Sequence, residues 1–283
     1  MSTHTQQEQR EDRAELLALI AAMTTSLARQ WQRLATAQDQ LLRSLERIRP
    51  GRGATTRIRP LVARFHHEVG EFDRQARALA TRWASQDLPI AYRDGALTAL
   101  RRANTDISRF EWTADHQAAI TGLTATFYTD LIGRIQEAVR RAQAFARAAQ
   151  DATRDVTMGR NHAGIDSATL VKEHPLSTIV YRDDSRHPVK AWATAALTYQ
   201  GVLAANHGAI NTARNDLECE WMQIRDGDEC GWTSHPDTDH ADGTIRSIDE
   251  CEMYPLAHHG CIRELIPRPD LTGRRGLASG DLA

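Results

Sequence analysis

Cys230, His235, His258 and Cys261 are the residues of this chain whose types and spacing best suit chemistry. They lie in one stretch, 221–267, which reads WMQIRDGDECGWTSHPDTDHADGTIRSIDECEMYPLAHHGCIRELIP. Its left part holds Cys230 and His235; its right part holds His258, His259 and Cys261. A polar, glycine-bearing loop separates them. Thiolate and imidazole are the ligands that tetrahedral zinc favours, and a metal can tie down a loop segment that has no core of its own. The spacing is loose. Cys230 and His235 form C-x4-H, and Thr233 stands where a C-x2-C pair would place its second cysteine. Asp237, Asp239, His240 and Asp242 offer further donors. The competing reading makes Cys230 and Cys261 buried small residues, with the histidines bonded to loop carbonyls.

The four cysteines, Cys219, Cys230, Cys251 and Cys261, all fall late in the chain. Metal ligands, a local disulfide and small hydrophobes are the three readings. A secreted disulfide scaffold would carry more cysteines, spread more widely. The opening MSTHTQQEQREDR has neither the apolar stretch nor the cleavage site of a signal peptide. Disulfides therefore come last.

A loop-rich stretch of this kind must be positioned by regular elements. Residues 10–48 hold no Gly or Pro. Leu16, Ile20, Met23, Leu27, Trp31, Leu34, Leu41, Leu45 and Ile48 step by threes and fours, which predicts one long helix. Arg49 to Gly53 stops it. A second stripe, Leu61, Phe65, Val69, Phe72, Ala76, Leu79 and Trp83, predicts an antiparallel partner. Leu88-Pro89 is expected to break that pattern, with helix resuming over 90–107. A fourth helical stretch covers 114–150. Residues 176–181 and 219–224 read as strands, Asp183-Asp184-Ser185 as a turn, and 189–213 as helix. The dozen residues from Thr272 on look like a tail.

The chain has 283 residues, 41% hydrophobic and 25% charged, as in ordinary globular proteins. No apolar run approaches the ~20 residues a bilayer span needs. Net charge is -2, but it is uneven: 211–262 sums to -9 and the remainder to +7. Arg134, Arg140, Arg141, Arg147 and Arg154 recur on one side of the 114–150 helix and its extension. They are candidate nucleic-acid contacts, weighed against a solvated face paired with Glu137 and Asp151. There is no G-x-S-x-G elbow, no H-E-x-x-H and no Walker loop, so no local motif points to an enzyme. His66-His67-Glu68 reads as the polar flank of the second helix.

The stretch also resembles a family. Asp226-Gly227, Cys230-Gly231-Trp232-Thr233-Ser234-His235, Ala241-Asp242-Gly243-Thr244-Ile245-Arg246, and Pro255 with His258 and Cys261 are similar to the C-terminal domain of MuF-like phage head morphogenesis, or minor capsid, proteins. Leu88-Pro89 with Tyr92 and Gly95 resembles the L-P-x-x-Y-x-x-G element upstream in that family, and 199–214 the helix before its Cys/His region. The likeness covers roughly 85–270. Many members carry further cysteines where this chain has Thr233 and Arg263, so two of four thiolates are missing and His235 and His258 would fill the vacancies. The resemblance implies a structural, non-catalytic protein of a tailed phage or prophage. It would act at the portal vertex or in the head interior and be in the host cytoplasm during assembly. Its implied partners are the portal protein, the major capsid or scaffold protein and packaged DNA, with no membrane. A capsid maturation protease and a nucleic-acid-binding assembly factor absent from the mature particle are the alternatives.

The fold expected is mainly α: an N-terminal helical bundle with a long helical hairpin over 1–155, a small α+β, loop-rich Cys/His module over 156–270, and a tail over 271–283. Asp226, Gly227 and Trp232 are expected to shape the turn into Cys230. Cys230, His235, His258 and Cys261 are expected to knit the module, with zinc as the metal the site would take.

Overall fold

The computed structural model describes residues 6–49, 53–181, 183–227, 230–231, 235–236 and 239–273. The protein is mainly α with small sheets, as expected. The first apolar stripe forms α1 (Gln6–Asp12) and α2 (Ala14–Glu46). Leu16, Ile20, Met23, Leu27, Trp31, Leu34, Leu41 and Leu45 are all buried, so the period seen in the sequence is the buried seam. The second stripe forms α3 (Ala54–Arg82).

The expected break at Leu88-Pro89 does not occur. The chain passes from α3 through a π turn, Trp83–Asp87, directly into α4 (Leu88–Arg102). The turn is closed by the Leu88 N–H donating to the Trp83 carbonyl. Such a widened turn accommodates a proline, which brings no N–H of its own, without ending the helix. The helix ends at Arg102, short of the expected 107, and Asn104 takes a positive φ of 53°.

A 3-10 turn, Ile107–Arg109, precedes α5 (Ala114–Thr157). Then come α6 (Ser167–Glu173) and the antiparallel hairpin β1 (Thr178–Val180) and β2 (Arg186–Pro188). Asp183 accepts from the Ser185 N–H and hydroxyl, and Asp184 has φ 62°. The paired carboxylates are thus a turn. Next are α7 (Val189–Asn211), a second π turn, Thr212–Asp216, and β3 (Trp221–Arg225). Two short strands, β4 (Cys230–Gly231) and β5 (His235–Pro236), form a parallel pair. The chain closes with β6 (Ile245–Ser247), α8 (Ile248–Met253), β7 (Glu264–Pro267) and a 3-10 turn, Pro269–Leu271. β3 is central in an antiparallel sheet of order β6-β3-β7. Ser247 caps α8, with Glu250 returning the bond in a capping box.

The chain divides into two compact units, each assembled from separated stretches. One comprises 1–23, 82–128 and 194–283; the other comprises 24–81 and 129–193. The sequence texture instead divides the chain at 155. In the second unit the helical hairpin is realised. Trp31 meets Phe72 edge-on at 4.8 Å, and Phe65 meets Phe145 at 5.4 Å.

In the first unit α4 and α7 cross at backbone contact. A Cβ added to Gly95 would lie 1.8 Å from the Ala205 carbonyl oxygen, and one added to Gly208 would lie 2.0 Å from that of Tyr92. Only glycine allows this approach. The core under the three-stranded sheet includes Met222, Ile224, Ile248, Leu265, Cys219 and Cys251. Leu271, placed at the start of a tail by the sequence, is 3% exposed.

Candidate metal centre

β3 and β7 are antiparallel neighbours, with Arg225 opposite Glu264. The chain leaving β3 and the chain entering β7 therefore run along the same edge. This delivers the left and right Cys/His clusters to one place, although Cys230 and Cys261 are 31 residues apart.

The left approach is a tight turn. Gly227 has φ 86°, where a side chain would be strained. The N–H groups of Asp226 and Gly227 both donate to Asp242 Oδ1, at 2.8 and 3.1 Å. The Cys230 N–H donates to the Gly227 carbonyl. Gly227 serves the turn as expected, but the carboxylate that closes it belongs to Asp242. On the right, Gly260 has φ 94° and the Cys261 N–H returns to the His258 carbonyl.

The result is a compact donor set. Cys230 Sγ is 3.3 Å from His258 Nε2 and 3.7 Å from Cys261 Sγ, and the three ligand atoms lie within 4.8 Å of one another. A tetrahedral zinc with Zn–S of ~2.3 Å and Zn–N of ~2.0–2.1 Å separates two sulfurs by about 3.8 Å, and sulfur from nitrogen by about 3.6 Å. The observed edges are close to that figure. The tautomer also fits. His258 Nδ1 is 2.9 Å from the His259 carbonyl, which can only accept. Nδ1 therefore carries the hydrogen and Nε2 offers its lone pair toward the sulfurs. The Cys261 thiol is held below its ordinary value, chiefly by the hydrogen bond from Cys230 and against burial. The Arg263 N–H also donates to Cys261 Sγ at 3.3 Å. This group could hold a metal ion.

Of the four expected ligands, the structure brings together three. The backbone of His235 is paired with Cys230 in the β4–β5 ladder; its side chain lies outside the described residues, as does Trp232. Cys219 and Cys251 are core fillers instead. Burial pushes the Cys251 thiol up to about 12. None of the four cysteines is in a disulfide.

Behind the cluster stands a buried ion pair. Asp226, expected only to shape the turn, binds Arg263 through both carboxylate oxygens, Nε to Oδ1 at 2.7 Å and Nη2 to Oδ2 at 2.6 Å. Against the pull of burial, Asp226 raises the Arg263 pKa, so the guanidinium stays charged. Arg263 Nη1 reaches Asp239 and the Tyr254 carbonyl. Arg263 is thus the organiser of the loop.

Sequence reasoning missed the N-terminal contribution. Gln9, fully buried, donates to the carbonyls of Arg225 at 2.6 Å and Ile262 at 2.9 Å. Arg13 donates to Asn206 Oδ1, and Asn206 donates to the Pro255 carbonyl. Asp12 and Glu264 both pair with Arg102 and Arg225. α1 therefore ties the end of β3 to the chain entering β7. No spacing rule links residue 9 to residue 262. A glutamine that breaks no helix gives no local signal.

The basic row on α5 is largely engaged. Arg140 and Arg141 both bind Glu137, at 2.6 and 2.8 Å, and Arg154 lies 3.5 Å from Asp151. Arg134 sits over the Tyr181 ring at 4.5 Å. Arg147 is exposed. The acids weighed as partners in the sequence, Glu137 and Asp151, are the ones that pair.

Compared with models of protein families, with curated proteins and with solved structures, the chain matches none. Among the described residues no helix is long and apolar enough to cross a membrane. What fold and site define together is a mainly α protein whose small α+β part is gathered around a buried Cys/His cluster.

Proposed function

We propose that this chain is a minor capsid, or head morphogenesis, protein of a tailed phage or prophage. It acts structurally at the portal vertex, and zinc held by Cys230, His258 and Cys261 knits its C-terminal part. The observation that carries this reading is the convergence of the MuF-like pattern. Asp226 and Cys230, Asp242, and His258 and Cys261 come from three separate stretches, yet they meet around one cluster or close the turn that builds it. Bound zinc would supply a cross-link between the two loops. The chain's own residues do the rest. Gly227 and Gly260 turn the loops inward, the His259 carbonyl sets the His258 tautomer, and Arg263 neutralises Asp226 beside the sulfurs.

A thiol-dependent activity, the protease alternative, is favoured by one observation: Cys230 Sγ and His258 Nε2 are at a nucleophile–base distance. Burial weighs against it. Cys230 is 6% exposed and Cys261 2%, with the second sulfur 3.7 Å from the first.

The test is mass spectrometry of purified particles, with copy number and chain termini determined. An intact chain at a few copies per particle is expected. Absence from mature particles, with head proteins left untrimmed when the gene is deleted, would replace this reading with the protease.

A further inference from the structure

Charge follows the fold more sharply than it follows the sequence. The unit of residues 24–81 and 129–193 carries 21 arginines and lysines against 13 acids, a net of +8. The other unit carries 14 against 24, a net of -10. Within the basic unit the excess is concentrated in the α2–α3 hairpin, where residues 24–81 hold 11 arginines and five acids.

These arginines are arranged, and they are available. Arg29, Arg33 and Arg43 are exposed on α2 and Arg47 just after its end; Arg57 and Arg64 are exposed on α3. At ~100° per residue the three on α2 fall within about 40° of one line, over a length of about 21 Å. The acids of α2 within this unit, Asp39 and Glu46, lie roughly 80–100° around the helix from that line, and Glu46 is engaged by Ser167. Arg33 contacts only the neutral Gln75, and Arg57 a backbone carbonyl. Among the described residues the other four have no ion-pair partner. Arg29 and Arg33 of α2 and Arg64 of α3 line a groove of about 630 Å³ between the helices, whose acids are Glu68 and Glu71. Glu71 is bound by Arg74. The arginines of α5, by contrast, are mostly paired.

We propose that the outer face of the α2–α3 hairpin binds the phosphate backbone of double-stranded nucleic acid, without reading its sequence. A linear row of unpaired guanidinium groups matches a linear polyanion better than a point ligand. Duplex DNA carries one charge per ~1.7 Å of axis, so the row faces about twelve charges, half of them on the near strand. Arginine suits this task, because its fork grips phosphate through two N–H groups. The inference does not depend on the metal centre or on the portal-vertex reading.

The test is retention of a random-sequence 30-base-pair duplex by the full chain across a salt series. The wild type is expected to show a log–log salt slope of about -4 to -5, at roughly 0.9 per phosphate neutralised. The combined variant R29Q/R33Q/R43Q/R47Q/R64Q is expected to lose at least tenfold in affinity at about 100 mM salt and most of the slope. R140Q/R141Q is expected to bind like the wild type. If the combined variant melts differently, the single variants R29Q and R47Q serve, each lowering the slope by about one. Three results overturn the proposal. One is wild-type affinity and slope in the variants. Another is loss of binding in R140Q/R141Q alone. The third is salt-dependent self-association with no duplex retention, which would assign the basic face to the acidic surface of a second copy.

Discussion

Arg263 and Asp226 face each other as a buried two-pronged ion pair, with the arginine side chain at 0% exposure and the aspartate at 2%. Two charges this deep have lost their hydration, and their attraction offsets that cost only while the geometry is complete. The geometry is well matched: each carboxylate oxygen accepts one N–H, and Nη1 reaches Asp239 and the Tyr254 carbonyl. The pair lies directly behind Cys261, whose sulfur is 3.9 Å from Asp226 Oδ1.

Breaking one side of that pair leaves a buried charge unmatched. Asp226→Asn is expected to cost about 3–5 kcal/mol in urea unfolding. Arg263→Lys is expected to be nearly as damaging, since an ammonium cannot span both oxygens and Asp239. A loss below ~1 kcal/mol in both variants, the range of exposed pairs, would show that the pair does not organise the loop.

The α4–α7 crossing makes a second prediction. Gly95→Ala and Gly208→Ala place a methyl against backbone carbonyls that cannot yield, so each is expected to cost about 2–3 kcal/mol through overpacking. Gly122→Ala, on α5 with nothing within 4 Å of the added carbon, is expected to stabilise by about 0.4–1 kcal/mol. Equal melting temperatures for all three variants would contradict the close crossing.

A third concerns alkaline pH. The Tyr92 hydroxyl accepts from Asn211 at 2.7 Å and donates to His116 Nδ1 at 2.8 Å, while His116 Nε2–H donates to Asp216. Burial pushes the tyrosine up to about 12. The unfolded phenol ionises near 10, so the unfolded chain gives up this proton first. Stability therefore falls between pH 10 and 12, by about 1.4 kcal/mol per unit. Below pH 10 the group contributes no pH dependence. Tyr92→Phe is expected to be less stable at pH 8 but flatter from pH 10 to 11.5. Parallel curves for the two proteins would remove Tyr92 as the cause.

Much of this was legible in the sequence where the signal is local and periodic. The seam from Leu16 to Leu45 is a 3.6-residue repeat, and its residues are buried as a set. The Cys230–Cys261 meeting was legible because sulfur and imidazole stand out by type. The π turn at Trp83–Asp87 was not, because a proline inside helical texture reads locally as an ending. The roles of Gln9 and Arg263 were hidden for another reason. Their partners lie 253 and 37 residues away, and nothing local distinguishes a buried glutamine or arginine from a solvated one. The pairing of the α5 row was legible only as an alternative: the sequence names Glu137 as a nearby acid but does not show that it takes both Arg140 and Arg141. Thermodynamically that carboxylate is well placed: the hydrogen bonds from Arg141 and then Arg140 hold it below the usual carboxylate range.

The measurement that bears most directly on the centre is metal content by elemental mass spectrometry, on full-length protein purified without chelator, alongside C230S, H258A and C261S. One zinc per chain in the wild type is expected, with loss of it in each variant. A lower melting temperature is expected in each variant, and in the wild type after chelation. Metal-free wild-type protein whose melting is indifferent to added zinc and to chelator would contradict the account, and would leave Cys230 and Cys261 as packing residues.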